Sequence, residues 1–357
     1  MKLMFYISTI CNGGAARVMT NLANEMSERG HHCVLVTTFR ADIEYELAKG
    51  VTRLSLYNDK PKGNWLCRNI AITERLRANV KAEKPDILLS FLGEPNFRAA
   101  IATIGTKTKT VLSVRNDPKW EYRGLIPSLL AKTLFRRADG MVFQTSDAQS
   151  WFPKSLQIKS QVIFNAVKED FYNTELPAER SGIVATGRLS RQKNHSMLVA
   201  AYSKIARKVK DDLTIYGAGD SIELMRLAEK LGIGNRVHFP GQTMDVKNAI
   251  KSARLYVMSS DFEGMPNALM EAMAMGLPCV STDCPCGGPS SLFSEEMKKY
   301  LTPVGDSDAM ASTMLSLLTD DKERFSHGLR CKEAAKAFMP CIINNQWEQY
   351  LNTIVNK

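Results

Sequence analysis

Short apolar runs alternate along the chain with longer stretches in which apolar residues return every three or four positions. Runs of the first kind, at residues 2–10, 34–38, 51–57, 86–92, 110–114, 140–145 and 162–167, read as buried parallel strands. The stretches between them read as helices packed on a sheet; in 15–30, Val18, Leu22 and Met26 fall four apart and give a core stripe. The same alternation resumes with strands at 182–187, 213–217, 237–241, 253–259 and 280–283, and helices at 222–231, 266–276 and 335–355. This pattern predicts two doubly wound parallel α/β sheets, and 357 residues suffice for two cores. Residues 168–180, rich in Asp, Glu, Asn and Pro, read as a linker between an N-terminal domain at 1–167 and a C-terminal domain at 181–334. A closing helical segment, 335–357, follows.

Within the second domain the stretch Asp261-Phe-Glu-Gly-Met-Pro-Asn-Ala-Leu-Met-Glu271 follows a strand that ends in two serines. Pro266 suits the first turn of a helix, and Gly276-Leu-Pro278 ends it. The amides of Met265, Asn267 and Ala268 then lie at a helix start, where donors lack helical partners and the dipole is positive. Such a place suits an anionic or hydroxyl-rich ligand. Glu263 stands just before the helix, and Glu271 lies about 7.5 Å further along its axis than Pro266. Either glutamate has a bland alternative, as a complement to the dipole or as one more solvated helix residue. The neighbours of Glu271 are nearly all apolar, however, and a carboxylate so placed needs a partner.

Composition, with 44% apolar and 24% charged residues, is that of a soluble globular protein. No apolar run reaches the ~20 residues of a membrane span. The N-terminal run is too short for a signal peptide and leads into Asn12-Gly-Gly without a cleavage site, which places the protein in the cytoplasm. The eight cysteines suggest no disulfide framework, and Cys279, Cys284 and Cys286 lack the spacing of a zinc set, so neither metal nor cofactor is expected. Charge is lopsided: residues 1–170 hold 25 Lys+Arg against 16 Asp+Glu, while 171–357 hold 22 against 21. A basic half points to nucleic acid, an anionic membrane or phosphate-bearing substrates, and no nucleic-acid-binding signature supports the first.

Other candidates lie at strand ends, where open α/β sheets bind ligands. Glu94 and Asn96 follow one strand, and Arg115 and Asn116 another. The Gly13-Gly14 turn admits a phosphate or merely packs the helix that follows. Seven cations between Lys60 and Lys84 interleave with Trp65, Leu66 and Ile70, the pattern of a helix with a wet face or of a lipid-surface helix. Residues 120–137, with Trp120, Arg136 and Arg137, are the better candidate for docking on a membrane. Arg188, Arg191 and Lys193 crowd one loop, and the Gly217-x-Gly turn lacks the third glycine of a dinucleotide fingerprint.

The Glu263-x7-Glu271 spacing, with its Gly-Met-Pro-Asn insert, resembles the signature of retaining glycosyltransferases of family 4, and in particular the enzymes that build bacterial O-antigen and capsule repeats. The resemblance implies a GT-B fold, two Rossmann-like domains facing each other across a cleft, with the closing helix crossing back onto the first. It implies that Arg188 and Lys193, in the order Gly-Arg-Leu-x-x-x-Lys, clamp a donor diphosphate, that Glu263 orients the donor sugar and that Glu271 holds the ribose. Gly14, Gly217, Gly241, Gly264, Met265, Pro266, Asn267 and Ala268 would complete the donor site. Gly13, Arg17, Glu94, Asn96, Arg115 and Asn116 would face the acceptor. Three departures stand out: Val114 occupies the place of a usual Glu, Asn194 that of a glycine, and Ser290 that of an Arg or Glu. The implied reaction moves a hexose or N-acetylhexosamine from a nucleotide sugar, with UDP favoured, to a lipid-pyrophosphate-linked glycan at the inner face of the cytoplasmic membrane. A nucleotide-sugar epimerase would share the architecture, and a non-catalytic binder would not need Arg188, Lys193 and Glu263 together.

Overall fold

The structure, a computed structural model, describes residues 1–11 and 13–356; Asn12, in the expected 12–17 turn, and Lys357, at the end of the expected closing segment, lie outside the described residues. The chain forms two compact units, Met1–Ala166 with Cys341–Lys357, and Val167–Pro340.

In the first unit, β1 (Lys2–Ile7), β2 (His32–Phe39), β3 (Val51–Tyr57), β4 (Ile87–Phe91), β5 (Lys109–Ser113), β6 (Gly140–Phe143) and β7 (Ser160–Val162) make one parallel sheet in the order β3-β2-β1-β4-β5-β6-β7. β1 and β4 are buried almost throughout, which is why they read as unbroken apolar runs. The helix Gly14–Glu28 lays Met19, Leu22, Ala23 and Met26 on the sheet, while Val18 of the expected stripe sits at its edge. The expected basic helix starts at Trp65 rather than near Lys60, because Asn64 caps it and accepts from the Leu66 amide at 2.8 Å. Residues 118–137 are not one element: Gly124, at φ +100°, separates the turn Pro118–Glu121 from the helix Leu125–Leu134.

The closing helix runs Pro340–Val355, not from residue 335. Met339 is extended, with ψ 141°, as the residue before a proline must be, and Pro340 then opens a new helix. That helix completes the first unit's core: Trp347 stacks on Phe91 at 5.9 Å, and the Tyr350 hydroxyl accepts from the Met141 amide at 2.9 Å and donates to the Lys159 carbonyl at 2.6 Å.

The second unit's strands β8 (Ile183–Thr186), β9 (Leu213–Tyr216), β10 (Val237–Gly241), β11 (Leu255–Met258), β12 (Cys279–Thr282) and β13 (Leu301–Thr302) form a parallel sheet ordered β10-β9-β8-β11-β12-β13. Order reverses between β8 and β11, so the loops leaving these two strands part over a crevice, the place where doubly wound sheets take ligands. Residues 169–172 form a helical turn whose Tyr172 hydroxyl donates to the Ala335 carbonyl at 2.8 Å.

Candidate functional site

At the β8/β11 switch point the second unit gathers its charges. The loop after β8 brings Arg188 and Lys193, and the loop after β11 brings Ser259, Ser260 and Glu263. Lys193 Nζ pairs with Glu263 Oε1 at 2.6 Å, and Ser260 Oγ donates to the same oxygen at 2.7 Å. Glu263 is 7% exposed, so this buried carboxylate is compensated on the spot. Arg188 is exposed and forms no ion pair among the described residues. Pro266 caps the helix Asn267–Met275 instead of occupying its first turn. The bond from the Met270 amide to the Pro266 carbonyl, 3.1 Å long, starts the helix, and the amides of Asn267 and Ala268 lie in its first turn. Glu271, on the same helix, is 5% exposed, as its apolar neighbours required.

The two loops are laced together by contacts that no spacing announced. The Asp261 amide donates to the Gln192 carbonyl at 2.8 Å, Gln192 Nε2 to the Phe262 carbonyl at 2.9 Å, and Ser259 Oγ to the Lys193 carbonyl at 2.9 Å. Asn194 takes the left-handed conformation, φ 43° and ψ 48°, which asparagine tolerates nearly as glycine does. It also donates to Asp261 Oδ1 at 2.6 Å, so the departure from glycine gains a loop-to-loop bond. Thr282 Oγ1 ties the Ser260 carbonyl at 2.6 Å. Buried Cys284 lies near Glu263, and burial together with that charge pushes its thiol up to about 12. His195 opens its helix, buried against the Gly187 carbonyl at 3.3 Å, and desolvation lowers it to about 4, leaving a neutral ring.

Two glycines are fixed by close approach. A Cβ on Gly217 would stand 1.9 Å from the Gly187 carbonyl oxygen, and one on Gly288 would stand 1.9 Å from that of Gly264. Gly217 thus lets the β9 loop press on the Arg188 loop, and its amide donates to Gly241 at 2.9 Å. Gly288 supports the strap Gly264–Met265–Pro266 from behind, a role the sequence reading did not assign.

In the first unit, Gly13 caps the helix Gly14–Glu28 at φ +121°, with Gly14 exposed and the Arg17 amide bonded to Gly13. Glu94 is exposed and pairs with Arg98 at 2.5 Å. Asn96 is fully buried and donates to the Ser113 carbonyl at 2.9 Å. Asn116 Oδ1 accepts from the Asp117 amide at 2.9 Å. Arg115 is buried too: its guanidinium bonds Asn165 and Ser113 Oγ and lies 4.5 Å over the Phe91 ring. Beside it, and missed in the sequence, is Glu121, whose enclosed carboxyl faces the amides of Gly93, Arg115 and Asn116. Burial pushes this carboxyl up to about 8 and lowers Arg115 to about 9. A carboxyl therefore reaches the 114–116 turn from position 121, although Val114 supplies none.

Among the described residues no group of His, Cys, Asp and Glu could hold a metal ion, and no helix is long and apolar enough to cross a membrane. Residues 12–171 match a family described as Glycosyltransferase Family 4, and residues 180–320 one described as Glycosyl transferases group 1. The chain is 26% identical, over 94% of its length and 95% of the other's, to a Campylobacter jejuni N-acetylgalactosamine-N,N'-diacetylbacillosaminyl-diphospho-undecaprenol 4-alpha-N-acetylgalactosaminyltransferase. To a second Campylobacter jejuni protein, the GalNAc-alpha-(1->4)-GalNAc-alpha-(1->3)-diNAcBac-PP-undecaprenol alpha-1,4-N-acetyl-D-galactosaminyltransferase, it is 23% identical over 100% of this chain and 99% of the other. Among solved structures, Anabaena HepE in complex with UDP matches with TM-score 0.83 at 18% identity, covering 99% of this chain and 100% of that one.

Proposed function

We propose, from the matches of residues 12–171 and 180–320 to two families of glycosyltransferases and from two parallel-sheet domains of the GT-B fold, that the chain is a retaining glycosyltransferase which moves a hexose or N-acetylhexosamine from a UDP-sugar to a lipid-linked saccharide. The product would serve O-antigen, capsule or related surface-polysaccharide synthesis. The observation that carries the reading is the Lys193–Glu263 pair, 2.6 Å apart at the second sheet's switch point, beside the start of the helix Asn267–Met275. UDP in the HepE complex and the undecaprenol-linked acceptors named for the two Campylobacter proteins support the donor and acceptor classes.

On this proposal the second unit binds the donor. Arg188, Lys193 and the amides of Met265, Asn267 and Ala268 neutralise the diphosphate as the bond from the anomeric carbon breaks and charge builds on the leaving oxygen. Glu263 accepts from sugar hydroxyls, Glu271 holds the ribose, and Gly217, Gly241, Gly264 and Pro266 shape the site. The acceptor oxygen bonds to the anomeric carbon on the face the leaving group vacates, and its proton passes to the leaving phosphate. The first unit takes the acceptor at Gly13, Arg17, Glu94 and Asn116, with buried Asn96 and Arg115 positioning those turns. The enzyme works at the inner face of the cytoplasmic membrane, docked through the apolar face of the helix Leu125–Leu134.

The test is a panel of UDP- and GDP-sugars with a detergent-dispersed lipid-diphosphate glycan, run with wild type and Glu263→Ala. Transfer from one UDP-sugar, with the anomeric configuration kept and the rate about 100-fold lower in the variant, is the expected result. An inverted product, or transfer undiminished in Glu263→Ala, would sink the mechanism.

A further inference from the structure

The first unit holds a cavity of about 720 Å³ at the carboxyl end of the edge strand β3, walled by residues 55–64 and the start of the helix Trp65–Glu83. Its lining carries four cations, Lys60, Lys62, Arg68 and Arg75, against one acid, Asp59. Arg75 is held in place, its Nη1 donating to the Leu56 carbonyl at 2.7 Å and its guanidinium lying 3.9 Å over the Tyr57 ring. Lys60, Lys62 and Arg68 form no ion pair among the described residues. The helix begins in the cavity wall, so its positive dipole end adds to the same field. An excess of cations without ion-pair partners around an open recess attracts a compact polyanion, and a guanidinium fork suits phosphate oxygens.

The same helical turns expose a second kind of surface. Trp65 is 61% exposed, Leu66 58% and Ile70 51%, and the helix buries only Ile72, Leu76 and Val80. Its first two turns thus give the core nothing and offer an aromatic and aliphatic edge beside the cations. Cation and apolar edge together fit a phosphate-bearing head on an apolar chain, not a free nucleotide.

We propose that this cavity binds the diphosphate of a prenyl-type amphiphile, with the first apolar carbons of its chain lying on Trp65 and Leu66. The inference rests on the acceptor class proposed above and gives that acceptor's phosphates a place of their own.

Cys67 lines the cavity and is exposed, and Cys341, also exposed, lies outside it, which supplies a readout independent of turnover. Alkylation of the full chain by iodoacetamide would be followed by mass spectrometry with farnesyl diphosphate, inorganic diphosphate or phosphatidylglycerol vesicles present. Farnesyl diphosphate is expected to slow Cys67 at least about fivefold while leaving Cys341 unchanged, with inorganic diphosphate needing about tenfold higher concentration. Lys62→Ala/Arg68→Ala is expected to raise the half-protecting concentration about tenfold; Trp65→Ser/Leu66→Ser should abolish only the advantage over inorganic diphosphate. Protection undisturbed by the charge variant would overturn the proposal, and so would protection by the vesicles alone, which would mark a lipid-headgroup patch. The glycosyl-transfer assay separates the two readings. If transfer to the lipid-linked acceptor proceeds and Lys62→Ala/Arg68→Ala leaves its KM unchanged, the cavity proposal falls and the activity stands. If farnesyl diphosphate protects Cys67 and no donor is transferred, the activity falls and the cavity stands.

Discussion

Buried beside Arg115 and pushed up to about 8, the Glu121 carboxyl keeps its proton through neutral pH in the folded chain and loses it near 4.5 in the unfolded one. The folded state therefore holds the extra proton between these values, and stability falls as pH rises through that window, levelling off above about 8. Glu121→Gln keeps the shape and cannot ionise. Its melting temperature should match wild type near pH 5 and exceed it increasingly toward pH 8.5, by an amount of the order of a few kcal/mol in free energy. Parallel melting profiles from pH 5 to 9 would show that the carboxyl is not desolvated. Glu121 also shows where single residues escape a sequence reading. Glu271 declared itself through apolar neighbours, whereas Glu121 stands in Lys-Trp-Glu-Tyr, among charges, and only the fold closes Gly93 and the 115–116 amides around it. Asn194 is similar: its bond to Asp261 crosses 67 positions, so the left-handed loop explains its identity where local spacing could not.

Elements were legible wherever one face had to be buried. Most strands of both sheets read as apolar runs because parallel sheets are covered on both sides, whereas the half-buried β7 meets the run expected at 162–167 only at Val162, and two-residue β13 announced itself by no run. Their ends, and the breaks inside charged stretches, depend on single backbone choices such as Gly124 at φ +100° and Met339 before Pro340. The break at Gly124 shapes the helix Leu125–Leu134, which buries Ala131 while Leu125 is 85%, Ile126 71% and Leu129 60% exposed. Arg136 and Arg137 follow it, both exposed. An apolar face bordered by cations partitions to anionic bilayers, each cation adding about 1 kcal/mol. Wild type should therefore float with phosphatidylglycerol vesicles. Arg136→Ala/Arg137→Ala should lower the partition coefficient roughly thirtyfold at low salt, and Leu125→Ser/Ile126→Ser should lower it at any salt. Undiminished flotation of both variants would remove the docking proposal.

At the scale of the whole chain, alternation of strand and helix announced two sheets, but periodicity alone does not say which sheet a terminal helix covers. Ile343, Trp347, Leu351 and Ile354 fall three or four apart, which promises a buried face and no address. The structure places that face in the first unit, so this unit is built from both ends of the chain, residues 1–166 and 341–357. The first 166 residues then lack part of their own core until the rest of the chain has been made. Trp347 and Ile354 are each 1% exposed, Leu351 is fully buried, and Tyr350 holds the backbones of β6 and the residue before β7. Trp347→Ala should cost the first unit about 3–5 kcal/mol through lost burial and the cavity left against Phe91. Truncation after Met339 should cost more, because it strips the whole face and takes the Tyr350 hydroxyl away from the Met141 amide and the Lys159 carbonyl. Amide hydrogen exchange reads the effect strand by strand. Protection should collapse in β4, β5 and β6 of the truncated protein and persist in β8, β11 and β12, whose sheet the helix does not complete. If β4 to β6 kept their protection without residues 340–357, the first unit's fold would be carried by residues 1–166 alone, and the closing helix would be an ornament on a core already finished.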